Sequence, residues 1–474
     1  MINNFANKAL KLTLKDVKID VSHTGTENYI NPEAGKAALS VQGDGNVEIE
    51  LDGKNELKSG AHRAGLEKNT STSTGTLTLK DDNNEAGSLT ATGGDWGAGI
   101  GNGGNRSGEN ITITGGSVTA TGGDYAAGIG GGYYGSGKNI TINGGTVTAT
   151  GGDEGAGIGG GYYGNGENIK ITDGTVNATG GWGGAGIGGG GSYDGCSGKN
   201  ITITGGTVTA GGGYRGAGIG GGIRGSGEDI TITGGTVNAD GGDNGAGIGG
   251  GATGSGSNVT VSGAAQVTAT ATGSGPDWSG VGTGATIGNG GSKTPDGPVD
   301  GKEIQADISG LTTGYIHHII YNPDLDSDGK PDGILKEWWE PERPQPNPEN
   351  PQPNPEDPNA PAEESNEVDL GTPLLHVETL EGDPLPFDAR QQGSTLRVTS
   401  DNLAARLHGT RQALEALQEQ GVEQIQFVTS FKTTTLSVED LLAEGGSWFA
   451  LEHNGLVSRQ LSAAQAESLK CRMR

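Results

Sequence analysis

The sequence predicts an all-β chain: a right-handed parallel β-helix solenoid of 29-residue rungs, followed by a Pro-rich linker and a small α+β C-terminal domain. Three observations predict it. Glycine supplies 96 of 474 residues, a share that points to a repeat architecture. One motif returns at near-constant spacing. Between the glycines, apolar and polar residues alternate with period two, which disfavours disorder in the glycine-rich part. The glycines do not fall at every third position, which excludes collagen.

The motif Ile111-Thr112-Ile113-Thr114-Gly115-Gly116 recurs at Ile140, Ile169, Ile201, Ile230 and Val259, in steps of 29, 29, 32, 29 and 29 residues. A degenerate copy starts at Leu77. The longer step contains Cys196, which places that residue in an inserted loop. Each repeat reads as three strands: Asn139 to Ile142, Thr146 to Thr150, and Gly155 to Gly159. Ile140, Ile142, Val147, Ala149, Ala156 and Ile158 point inward, and the intervening Thr and Asn residues point outward. One such unit cannot bury its apolar face, but stacked copies can. Three strands with different inward side chains suit a right-handed coil.

Stacking turns equivalent residues into rows. Asn110, Asn139, Asn168, Asn200 and Asn258, with Asp229 as the exception, form a structural row at a turn, since Asn tolerates left-handed backbone. Aligned Thr-x-Thr rows also match an ice-binding pattern, but Asn143, Lys170, Asn177, Asn238 and Asp240 interrupt them. Thr is an ordinary outward strand residue. The third strand carries Gly99, Gly128, Gly157, Gly186, Gly218 and Gly247 at its outward positions. Such glycines mark close approach of another backbone or of a ligand. Trp96, Tyr125, Trp182 and Tyr214 precede this expected floor, and Tyr133, Tyr134, Tyr162, Tyr163 and Tyr193 follow it. A side-chain-free floor with aromatic walls suits pyranose rings, and repetition by rung suits a polymer held at many points. The alternative is that the rings only cover glycine turns. A further row, Asp95, Asp124, Asp153 and Asp243, is either a set of turn-capping carboxylates or a calcium row.

The runs Thr-Val-Thr-Ala-Thr-Gly-Gly from Thr146 and Gly-Ala-Gly-Ile-Gly-Gly-Gly from Gly155, with earlier strands such as Val47 to Leu51, resemble bacterial cell-surface carbohydrate-binding proteins of the pectate-lyase-like β-helix superfold. The resemblance covers residues 9–292. It implies a secreted, non-catalytic module that binds polysaccharides, acidic ones such as polygalacturonate included, with calcium assisting, or else an adhesin stalk. Enzymes of that superfold concentrate unique Asp, Lys and Arg on a few rungs. Here the outward positions repeat instead, and no carboxylate pair stands out as an acid–base couple. Polysaccharide degradation is thus the minor alternative.

The regular Gly-rich rungs span 91–292, after degenerate rungs in 1–90. Residues 293–340 form an acidic segment. Within it, Asp324, Asp326, Asp328, Lys330 and Asp332 take positions 1, 3, 5, 7 and 9 of a calcium loop, with Gly329 at 6. Position 12 is Leu335 where a bidentate Glu is expected. Residues 341–367 are a Pro-rich spacer. The domain at 368–474 is expected to hold a helix from Asp401 to Gln420 capped by Ser400, a strand from Gln424 to Ser430, a helix from Leu436 to Ala443, and a hairpin across Asn454-Gly455. A protein partner is the default role for it.

The net charge of −27 is uneven, with 17 acids against 4 bases in residues 300–371. This balance disfavours nucleic acid. No run reaches the length of a membrane span. The surface-module pattern makes an extracellular or cell-surface location the expectation, with the chain read as part of a longer secreted protein. Cys196 and Cys471 are the two cysteines, and their pairing stays open.

Overall fold

The computed structural model describes residues 1–5, 8–26, 33–68, 74–83, 86–272, 281–322 and 333–341, and most of 375–461. It divides into two compact units, Met1–Pro351 and Gln352–Arg474.

The first unit is a right-handed parallel β-helix. A regular rung contributes strands such as Gly137–Ile142, Thr146–Thr150 and Ile158–Gly159. Each pairs in parallel with its counterpart in the next rung: Ile140 with Ile169, Val147 with Val176, Ile158 with Ile187. The register survives the longer step, since Ile169 pairs with Ile201. The third strands stack into a ten-stranded sheet. The other two sheets are joined through Val47–Lys58, which pairs first with Leu10–Lys15 and then, past a turn at Gly53 (φ 61°), with Lys18–Asp20.

Alternation places the core where the sequence expects it. Ile140, Ile142, Val147, Ala149, Ala156 and Ile158 are all fully buried. Each such Ile or Val contributes about 1.5–3 kcal/mol relative to exposure. The Asn row is structural as read: Asn110, Asn139, Asn168 and Asn200 all lie at φ between 53° and 55°. Each of the last three donates its side-chain amide to the Asn one rung before, at 3.0–3.2 Å.

Two expectations change. The third strand is two residues, not five, because Ala156 N–H turns to Gly160 O within its own rung (2.9 Å) instead of joining the ladder as a strand. The solenoid also runs past Ser292: Tyr315–Tyr321 pairs in parallel with Gln266–Thr272, and Ile334–Glu340 then pairs antiparallel. His318, in that last parallel strand, is buried with Nδ1 2.6 Å from Thr286 Oγ1, and burial lowers its pKa to about 4.

The second unit is α+β. One sheet holds Leu375–Glu378, Ala404–Thr410, Trp448–Asn454 and Val457–Leu461; the other holds Asp388–Gln392, Thr395–Thr399, Gln424–Thr429 and Lys432–Ser437. Within the span expected as a helix from Asp401 to Gln420, Ala404–Thr410 is a strand, because Ala405 and Leu407 face the core while Arg406 bonds Glu378 (2.6 Å) and Glu452 (2.7 Å). The helix is Arg411–Glu419, capped by Thr410 rather than Ser400. Ser437 caps the second helix, Val438–Glu444. Among the described residues no helix is long and apolar enough to cross a membrane.

Candidate functional site

The glycine floor is not a surface. Gly99, Gly128, Gly157, Gly186, Gly218 and Gly247 are all buried. A Cβ on Gly128 would stand 2.7 Å from both Thr150 N and Gly157 O, and one on Gly157 would stand 2.6 Å from Thr179 N. These glycines let the third strand press against the end of the second. Of the two uses of strand glycine weighed from the sequence, backbone approach is the one realised.

The loops on either side of that strand are themselves laddered. Tyr125 N–H donates to Asp153 O (2.7 Å), Tyr134 N–H to Tyr162 O (2.8 Å), and Gly131 N–H to Gly159 O (2.9 Å). The two loops also bond to each other across rungs, Tyr133 to Trp96 O (3.0 Å) and Tyr162 to Tyr125 O (2.9 Å). The residues expected as opposite walls therefore meet on one edge of the solenoid.

There the rings touch. Trp96 stacks on Tyr133 at 4.8 Å between centroids, and Tyr133 on Tyr162 at 5.7 Å. Tyr134 stacks on Tyr163 at 5.0 Å, and Tyr125 lies 5.5 Å from Tyr162. Further along, Trp182 stacks on Tyr214 at 5.7 Å, with the Arg215 guanidinium 5.6 Å from the Tyr214 ring. The Arg224 guanidinium lies 5.4 Å from Tyr193. Tyr134, Trp182 and Tyr193 are 51%, 42% and 67% exposed, and the others are more covered.

One rung interrupts this ribbon. Gly191 stands where Tyr133 and Tyr162 stand in theirs, and Glu154 of the preceding rung lays its carboxyl over the gap. Glu154 Oε2 is buried without a hydrogen-bond partner, and burial, with Asp153 adding to it, raises the carboxyl pKa to about 7. Cys196 lies close by, buried, its Sγ 3.3 Å from Ser192 Oγ and its pKa raised by burial to about 11. Cys471 lies outside the described residues.

Asp95, Asp124 and Asp153 supply backbone carbonyls to the loop ladder, accepting from His62, Trp96 and Tyr125. Among the described residues no three or more His, Cys, Asp or Glu side chains gather to hold a metal ion. Asp324, Asp326, Asp328, Lys330 and Asp332 lie outside the described residues.

Neither Glu154 nor a recess at the start of the ribbon, lined by His62, Arg63, Trp96, Asn105 and Arg106, is marked by the repeat pattern alone. Aligning the Tyr133 column back to Gly104 marks that place, since both residues donate to the turn residue one rung before.

A Beta helix repeat family model matches residues 111–133, 140–162, 169–191, 201–223 and 230–252, the regular rungs of this parallel β-helix. No curated protein and no solved structure matches the chain.

Proposed function

We propose that this parallel β-helix protein is a non-catalytic, extracellular or cell-surface module that binds polysaccharide along its aromatic edge. The observation that carries the reading is the run of rings on one side of the solenoid, with Tyr134, Trp182 and Tyr193 exposed. Exposed aromatic patches on an otherwise polar surface mark interaction sites, and sugar rings stack on them. Rungs about 4.8 Å apart offer a polymer many weak contacts in a line. Calcium enters the proposal only through the 324–332 motif.

A second reading is a structural stalk that displays the C-terminal unit to a partner. What favours it is that Trp96, Tyr133 and Tyr162 stack on one another and so cover much of each other's rings. Affinity electrophoresis through gels carrying pectic and neutral polysaccharides separates the two. The binding reading expects retention that is lost in the combined variant Tyr133→Ala, Tyr162→Ala, Tyr193→Ala with an unchanged far-UV spectrum. Equal mobility of parent and variant in every gel removes it and leaves the stalk.

A further inference from the structure

The recess at the first end of the ribbon differs from the rest of the edge in its charge. It encloses about 210 Å³ and is lined by Ala34, His62, Arg63, Trp96, Asn105 and Arg106 with the backbone of Gly103 and Gly104. That is room for about one pyranose ring, well below the ~300 Å³ at which drug-sized pockets begin. Gly104 keeps the space open. It occupies the position where Tyr133 and Tyr162 put their rings in the next two rungs. A Cβ there would already lie 3.3 Å from Trp96 Cβ. The Trp96 ring meets the His62 ring edge-on at 4.2 Å and is followed by Tyr133 on the ribbon side.

One guanidinium pairs with a buried carboxyl at this place, and burial raises that carboxyl's pKa. Arg63 bonds Glu67 Oε1 at 2.7 Å, and Glu67 is fully buried. Arg106 also acts electrostatically on Glu67. Arg63 Nε is buried with no hydrogen-bond partner. Among the described residues Arg106 enters no ion pair, in a chain whose net charge is −27. A guanidinium fork is shaped for a two-oxygen anion.

We propose that this recess is an end subsite for an anionic sugar residue, its carboxylate or sulfate received by Arg106 beside Arg63 while its ring fills the space left open at Gly104. The subsite deepens the ribbon reading and rests on it for the rest of the polymer. It binds its anion directly, so it needs no metal ion.

The test is calorimetric titration of the whole chain, in EDTA, with three probes: a galacturonic acid trimer, the same trimer fully methyl-esterified, and a 6-sulfated galactose trimer. The subsite expects the free acid or the sulfate to bind and the ester to bind about tenfold or more weakly, since a charged hydrogen bond is lost. Arg106→Gln is expected to remove that difference with an unchanged melting temperature. Arg106→Lys is expected to recover part of it, because charge returns without the fork. The probe that loses affinity in Arg106→Gln identifies the anion. Equal binding of ester and acid, or full binding by Arg106→Gln, overturns the subsite. Failure of the ribbon is separate: it shows as unchanged gel mobility in the tyrosine variant, which leaves Arg106 intact.

Discussion

Glu154 lays its carboxyl over Gly191, the residue that interrupts the tyrosine column of the next rung, so that any side chain at Gly191 would collide with Glu154 Oε2. The pair explains why the ribbon breaks there without leaving a hole. It also places a titrating group inside the break.

Glu154 gives a pH prediction. Its carboxyl holds a proton up to about pH 7, against an ordinary value of 4.5. Below about 4.5 both folded and unfolded chains are protonated there, so the group adds no pH dependence. Between 4.5 and 7 only the unfolded chain releases the proton, so stability falls as pH rises, and the loss levels off above 7. Because the group is partly exposed, the loss is about 1 kcal/mol after screening. Thermal melts of Glu154→Gln should be flatter than the parent across this window and higher at pH 8. Parallel curves would show that the carboxyl is not held neutral.

His318 should act in the opposite direction. Its pKa is depressed from 6.5 to about 4 by burial beside Thr286, with His317 and Lys336 adding to it. The neutral ring is compatible with the fold, and the unfolded chain gains a proton first as pH drops. Stability should therefore decline from about pH 6.5 toward 4, by about 3 kcal/mol at most. His318→Gln, which keeps an acceptor for Thr286, is expected to lose that slope in melts of the solenoid. A slope equal to the parent's would assign acid lability elsewhere.

The buried glycines give a contrast that needs no ligand. Gly157→Ala would place a methyl 2.6 Å from Thr179 N and 2.7 Å from Gly186 O, both backbone atoms that cannot move aside. It should cost about 1–3 kcal/mol or more. At Gly211 a Cβ meets nothing within 4 Å, and the equivalent residues of the rungs before it are Thr150 and Thr179. Gly211→Thr should be neutral or stabilise by about 0.4–1 kcal/mol. Chemical denaturation of both variants checks the pair, and comparable losses would mean that Gly157 is not packed as described.

Much of this architecture is legible in the sequence because a 29-residue period constrains every rung at once. Val147 and Ala149 announce their strand by alternation alone, and Thr146–Thr150 is its observed extent. Gly157 does not announce its direction. A glycine reads the same whether it opens toward solvent or presses on a neighbouring strand, and only the path of the turn at Ala156 decides it. Arg63 and Arg106 lie 43 positions apart in sequence, outside the regular motif, and only the coil of the solenoid brings them to one recess. In the second unit, Ala405 to His408 fits a helix face and a strand face equally well, and the bonds of Arg406 to two neighbouring strands settle it.

Everything on the aromatic edge depends on rungs stacked in register, and a spin-label distance tests that most directly. Thr119 and Thr268 face outward in equivalent positions five rungs apart, through Thr148, Asn177, Thr209 and Asn238. With Cys196 and Cys471 replaced by Ser, labels at Thr119→Cys and Thr268→Cys should give a narrow distribution near 24 Å, at about 4.8 Å per rung. A broad distribution centred near 65 Å, as for a flexible chain of about that length, would contradict the stacking and the ribbon with it.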